Sequence, residues 1–159
     1  FRPEAGVPKF AVRRSVDYSA EQMFALVADV EKYPEFLPLC EALTVRSRKE
    51  RDGRTVLVAD MAVGYKAIRE TFTTQVLLKP DENAIDVQYI DGPFKYLTNT
   101  WRFEPASGGG SEVHFAIDYE FKSRMLGALM GTMFDRAFRM FADAFEKRAD
   151  VIYGAAQNA

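Results

Sequence analysis

The last stretch of the chain limits its possible folds more than any other part. From Met125 to Ile152 apolar residues return every three or four positions: Leu126, Leu129, Met130, Met133, Phe134, Ala137, Phe138, Phe141, Phe145, Ala149, Ile152. That is the period of one face of an amphipathic helix. At about 1.5 Å per residue, about thirty residues make a rod of roughly 45 Å. The residues before it alternate with period two and read as strands. A long apolar-faced helix after a run of strands has one economical packing, in the concave face of a curved antiparallel sheet. Such a grip either fills with side chains or encloses an apolar cavity.

The element order follows from local signals. Residues 9–17 alternate as a first strand. Ser19 with Gln22 three residues on forms a capping box, and Tyr18 with Met23 a hydrophobic staple. Phe24, Val27 and Ala28 continue the stripe of a short helix. Asp29 is placed to cap a second, shorter one that Pro34 and Pro38 keep from growing. Strands are expected at 42–50 and 54–64, joined at Asp52-Gly53. Others follow at 66–78, 84–91, 95–104 and 112–122, with turns at Pro80–Asn83, Asp91-Gly92-Pro93 and the glycine run 108–110. In the last strand Val113, Phe115, Ile117, Tyr119 and Phe121 share one face, while His114, Asp118 and Glu120 share the other, so one face of the sheet is core and the other wet. Ser123 is placed to cap the long helix and Gly154 to end it. Asp135–Arg139 and Asp143–Lys147 are spaced as ion pairs on its solvent side. The fold class expected is α+β: about seven antiparallel strands around a long C-terminal helix, with two short helices after strand one. It forms one domain over residues 1–159, with its core at about 9–154.

Composition removes several function classes. Net charge is −2, which speaks against a general nucleic-acid binder, DNA included. No apolar run approaches the roughly 18 residues of a membrane span. Phe1–Gly6 carries no secretory apolar stretch, and Phe1 in place of Met points to a trimmed start. Cys40 is the sole cysteine, so no internal disulfide is available and a reducing compartment is expected.

Chemistry-bearing groups are sparse. A nucleophilic pair would need Cys40 beside His114, the sole histidine, yet neither carries a motif. A buried Cys and an exposed His is the plainer reading. No metal site is expected from one His and one Cys. Asp118 with Glu120, and Asp60 with Glu70, are paired carboxylates that would serve acid–base work only if buried, and solvated faces explain them more simply. The hairpin residues Arg46, Arg48, Lys49, Arg51 and Arg54 outnumber Glu50 and Asp52, an excess suited to an anionic surface, lipid or RNA, or merely to an exposed edge.

The apolar constellation is stronger. Leu129, Met133, Phe134, Phe138 and Phe141 on the helix face Leu97, Trp101 and Phe103 from the strands. Such stripes are ordinarily core. Met, however, adapts to a guest. Between Pro34 and Pro38, and just after, Phe36, Leu37 and Leu39 form a stiff apolar segment, readable as a lid, a membrane-touching patch or a cover over the core.

Four stretches resemble a known family: residues 29–40 (Asp29-Val30-Glu31-Lys32-Tyr33-Pro34-Glu35-Phe36-Leu37-Pro38-Leu39-Cys40), 91–103 (Asp91-Gly92-Pro93-Phe94 through Trp101-Arg102-Phe103), 115–123 around Asp118-Tyr119-Glu120-Phe121, and 144–154. They are similar to the coenzyme Q-binding proteins of mitochondria and their bacterial relatives, within the START-like, polyketide cyclase and lipid-transport superfamily. The resemblance implies a helix-grip fold with an apolar tunnel for ubiquinone or a related prenyl lipid. It implies a binder or chaperone, not an enzyme, supporting respiratory electron transport and requiring no cofactor. One bacterial branch instead carries the name of a ribosome-association toxin that blocks joining of ribosomal subunits, and the superfamily fold also hosts polyketide cyclases. The compartment implied is the bacterial cytoplasm, peripheral at the inner membrane, or an organellar matrix in a eukaryote. For a quinone head, Tyr65, Tyr89, Asn99, Trp101 and Tyr119 are expected to donate hydrogen bonds or stack. Phe72 and Phe94 complete the expected lining.

Overall fold

A computed structural model describes residues 10–157; the N-terminal segment 1–6 and residue 9 of the expected first strand lie outside the described residues. The chain runs β1 (Phe10–Val16), α1 (Ala20–Ala28), a 3-10 turn (Val30–Glu35), β2 (Cys40–Arg51), β3 (Arg54–Tyr65), β4 (Ile68–Lys79), β5 (Ala84–Asp91), β6 (Phe94–Pro105), β7 (Ser111–Phe121) and α2 (Arg124–Gln157). The strands form one antiparallel sheet ordered β1-β7-β6-β5-β4-β3-β2. Register slips at Cys40/Ala42, Val45/Ser47, Thr73/Thr74 and Phe94/Tyr96 bend the strands. The concavity they help create holds α2.

The local signals mostly act as their chemistry dictates. Ser19 Oγ accepts from Gln22 N at 3.0 Å and Gln22 Oε1 accepts from Ser19 N at 2.9 Å, a reciprocal cap of the kind whose loss costs about 1 kcal/mol. Ser123 Oγ likewise accepts from Leu126 N at 3.1 Å. Asp52 (φ 55°) and Gly53 (φ 81°) make a turn whose twist matches the flanking strands. In β7 every second residue from Ser111 to Phe121 is buried, the alternation expected of a one-sided sheet.

Three expectations fail locally. Asp29 offers its backbone carbonyl, not its side chain, to Lys32 N at 3.1 Å. Gly154 does not end α2, which continues to Gln157; the helix is already fastened there, since the hydroxyl of Tyr153 donates to Gln22 O at 3.0 Å. Of the two expected helix pairs, Asp143–Lys147 forms at 3.3 Å. Arg139 instead lies over the Phe10 ring at 5.0 Å, and Asp135 is hydrogen-bonded to Tyr119.

Gly92 is a position that only glycine fills. Its φ is +145°, and a Cβ there would stand 2.5 Å from Phe72 Cβ. We expect Gly92→Ala to lose about 1–3 kcal/mol, read as a lower urea midpoint at unchanged slope.

Candidate functional site

α2 packs mainly on β7, β1 and α1. Away from that contact, a cavity of about 100 Å³ opens between α2, the 3-10 turn with the segment after it, and the inner face of β2–β7. Its wall includes Leu37, Leu39, Met61, Phe72, Val76, Val87, Leu97, Trp101, Phe134, Phe138 and Phe141. Inward positions of neighbouring strands supply this wall in register: Val76 faces Val87, Val87 faces Asn99, and Asn99 faces Ile117. Thr74 and Asn99 are its two polar side chains besides the rings of Tyr33 and Trp101. Asn99 Nδ2 donates to Ala116 O at 2.9 Å, which fixes the amide and leaves its oxygen as an acceptor. Thr74, buried among apolar strand positions, escapes a reading from pattern because Thr on a strand is ordinary.

Of the expected lining, Leu37, Leu39, Phe72, Leu97, Asn99, Trp101, Phe134, Phe138 and Phe141 meet here. The others do not, each for a physical reason. Phe94 is fully buried, stacked on Phe121 at 4.9 Å and edge-on to Phe72 at 5.3 Å. It is the packed floor beside the cavity. Phe103 is buried between Trp101 and Phe24. Leu129 is exposed and Met133 half-buried, because a straight helix turns both away from the face shared by Phe134, Phe138 and Phe141. Tyr89 accepts from Phe94 N at 3.1 Å, which holds the β5–β6 turn. Tyr65 sits at the β3–β4 turn with Lys66 over its ring. The hydroxyl of Tyr119 is engaged with Asp135, and burial pushes its pKa up; it faces a separate, polar cleft that also includes Thr132 and Gly131.

Phe36 packs edge-on against Tyr33 and Phe145 and carries the Arg148 guanidinium over its ring at 5.1 Å. Arg148 also reaches Glu35 at 2.6 Å. The segment is therefore latched to α2, with Leu37 and Leu39 turned to the cavity. Leu39 holds a left-handed φ of 68°, a conformation costing a bulky residue about 1–2 kcal/mol. Its carbonyl accepts from Gly64 N at 3.0 Å. The hydroxyl of Tyr33 donates to Val27 O, and burial, then the neighbouring Cys40, raises its pKa.

Cys40 is buried, and burial lifts its thiol to about 11 against a weaker lowering by a hydrogen bond with the Ala42 backbone. At pH 8 it is protonated. We expect alkylation by iodoacetamide at least about ten-fold slower than that of a free thiol, accelerating as pH rises toward 11. His114 lies on the outer face of β7, 2.7 Å from Glu112 and 3.4 Å from Glu104. On β7, one strand in from the β1 edge, it is remote from Cys40, which lies on β2 at the opposite edge. The suspected carboxylate pairs are occupied or apart. Asp60 takes a hydrogen bond from Thr73 and an ion pair from Arg46, Glu120 pairs with Lys95, and Glu70 stands opposite Val63, three residues from Asp60. The basic hairpin is partly neutralised too. Arg46 pairs with Asp60, Arg48 lies 3.8 Å from Glu31, and Arg54 is bidentate on Asp81 and reaches Glu82. Lys49 and Arg51 are exposed without an ion pair among the described residues.

Residues 16–146 match the protein family described as polyketide cyclase / dehydrase and lipid transport. The chain belongs to that family. Within it, this START-like protein is 38% identical over 139 residues to the ribosome association toxin RatA of Vibrio cholerae, covering 87% of this chain and 93% of that one. It is 30% identical over 149 residues to the mitochondrial coenzyme Q-binding protein COQ10 homolog B of Xenopus laevis, covering 92% of this chain and 59% of that one. The solution structure of an 18 kDa protein from Caulobacter crescentus is 35% identical with a TM-score of 0.74, over 91% of this chain and 97% of that one. A START superfamily protein from Mycobacterium smegmatis shares the fold at 23% identity and a TM-score of 0.75, over 90% and 97% of the two chains. The Zhui aromatase/cyclase from Streptomyces shares it at 16% and 0.73, over 89% and 92%.

Proposed function

We propose that this START-like protein is a non-enzymatic binder of ubiquinone or a related prenyl lipid, serving respiratory electron transport from the cytoplasmic face of a bacterial inner membrane or the matrix of an organelle. The observation that carries the reading is the apolar cavity under α2, with Asn99 and Thr74 as isolated polar groups in its wall. Ligand pockets of this kind combine an apolar lining with a few polar groups that orient the guest. The space of about 100 Å³ is smaller than the engineered void of about 150 Å³ that takes up benzene. A prenyl quinone therefore requires the latched segment, Phe36 to Leu39, to move outward. The Asn99 oxygen suits a hydroxyl of the reduced quinol, and the Thr74 hydroxyl suits a quinone carbonyl. The COQ10 relative supports the choice of guest.

The test is extraction with organic solvent of protein purified from a quinone-making host, followed by mass spectrometry. A quinone in near-equimolar amount is expected. No extracted quinone, together with no quenching of the sole tryptophan, Trp101, by an added short-chain quinone, overturns the reading.

A second reading, association with a ribosomal subunit and inhibition of translation, is favoured by the higher identity to the V. cholerae toxin. On this chain the exposed Lys49 and Arg51 would meet phosphate. Sedimentation decides it: unshifted subunit and monosome peaks at several-fold excess of protein reject it, and a shift lost on charge reversal at Lys49 and Arg51 supports it.

A further inference from the structure

The first turns of α2 leave an apolar surface that the fold does not use. Met125 is 73% exposed and Leu129 57%, and Ile90, at the end of β5, is 52% exposed. These residues come from separate segments brought to one end of the molecule. Lys122 N donates to Pro93 O at 2.9 Å, tying the start of α2 to the β5–β6 turn that follows Ile90. The same turn rests on Phe72 through Gly92, and β4 runs on from Phe72 to the β3–β4 turn at Lys66. Lys66, Lys122 and Arg124 are exposed around this end and form no ion pair among the described residues. Lys95 is satisfied by Glu120 at 3.0 Å and Arg69 by Glu41 at 2.9 Å, leaving Asp91 as the exposed acid of the β5–β6 turn. On a chain of net charge −2, this local cationic excess goes against the whole.

We propose that this end, with Met125, Leu129 and Ile90 framed by Lys66, Lys122 and Arg124, docks on an anionic lipid bilayer. Exposed apolar tips among cations are the arrangement that interfacial binding requires: the tips enter the acyl boundary and the cations meet anionic headgroups. A nucleic acid would use the cations but find no partner for three large apolar side chains. The cavity reaches toward this end, since Phe72 both lines it and supports the Gly92 turn. The proposal deepens the proposed function and rests on it for its purpose, the transfer of an apolar guest between bilayer and cavity.

Flotation of the full chain with phosphatidylcholine vesicles, with and without about one third phosphatidylglycerol, tests it. Binding is expected on the anionic vesicles, to weaken steeply between 0.1 and 0.5 M salt, and to drop at least about ten-fold in Met125→Ser/Leu129→Ser and in Lys122→Glu/Arg124→Glu. All four positions are exposed, and unchanged circular dichroism confirms folding. Lys49→Glu/Arg51→Glu in the hairpin is expected to bind like the parent. Absence of vesicle binding, parental binding by both end variants, or loss in the hairpin variant alone overturns the proposal. So does loss of ribosome co-sedimentation, with vesicle binding unchanged, in the end variants; that result would assign this end to RNA. Quenching of Trp101 by a short-chain quinone, measured on the same variants, keeps the two readings apart. In the parent protein, quenching without vesicle binding removes only the bilayer surface, and vesicle binding without quenching removes only the quinone; in the end variants, lost docking with retained quenching is expected.

Discussion

Trp101→Ala is expected to destabilise the fold by about 3–5 kcal/mol and to weaken binding of the guest by at least about ten-fold. Trp101 is 3% exposed. It lies 4.6 Å from the Phe115 ring and 5.0 Å from that of Phe145, and it stacks on Phe103 at 6.0 Å. It thus joins β6, β7 and α2 while forming part of the cavity wall, and its loss leaves a void that rigid neighbours fill only in part. Urea unfolding followed by circular dichroism reads the stability and calorimetric titration with a short-chain quinone reads the affinity. Phe138→Ala, from the α2 wall, is expected to weaken binding in the same direction. Unchanged affinity in both variants would remove these rings from the binding surface.

Ala137→Phe separates binding from folding. Ala137 lines the cavity from α2, and a benzyl group added there enters a space of about 100 Å³. Overpacking costs about 1–3 kcal/mol when a core is full; with a void to enter, the cost falls at the low end of that range or below. The variant is expected to stay folded and to lose quinone binding altogether, with no ligand extracted from the purified protein. Retained binding at parental affinity would place the guest elsewhere.

Much of the architecture was legible in the sequence because each element is declared by a local signal that agrees with its neighbours. The Ser19–Gln22 capping box, the Asp52-Gly53 turn and the period-two burial of Val113 to Phe121 all stand as the residues imply. The site was legible in part. Periodicity places Phe134, Phe138 and Phe141 on one helical face, and alternation places Leu97, Asn99 and Trp101 on one face of β6; both sets reach the cavity. A repeat of three or four residues tolerates a wide arc of the helix, while the sheet covers only part of it. For that reason Leu129 counts in the apolar repeat yet stands exposed, turned about 140° round the helix from Phe134, while Met130 beside it is fully buried. The tyrosines failed for another reason. Hydroxyls of Tyr89 and Tyr119 find partners in Phe94 N and Asp135, contacts across elements that no spacing announces. The hairpin charges likewise looked free because Glu31, Asp81 and Glu82 are distant in sequence from Arg48 and Arg54.

β1 pairs with β7 along its whole length, from Phe10 opposite Ile117 to Val16 opposite Ser111. Tyr18 and Gln22 are then tied to Asp150 and Tyr153. β1 therefore has no strand partner until β7 (Ser111–Phe121) has been synthesised. During translation the growing polypeptide holds an open, apolar sheet face until α2 emerges to cover it. Contacts this distant along the chain slow closure, so the newborn sheet stays open to chaperones and proteases until α2 has been made and packed on it.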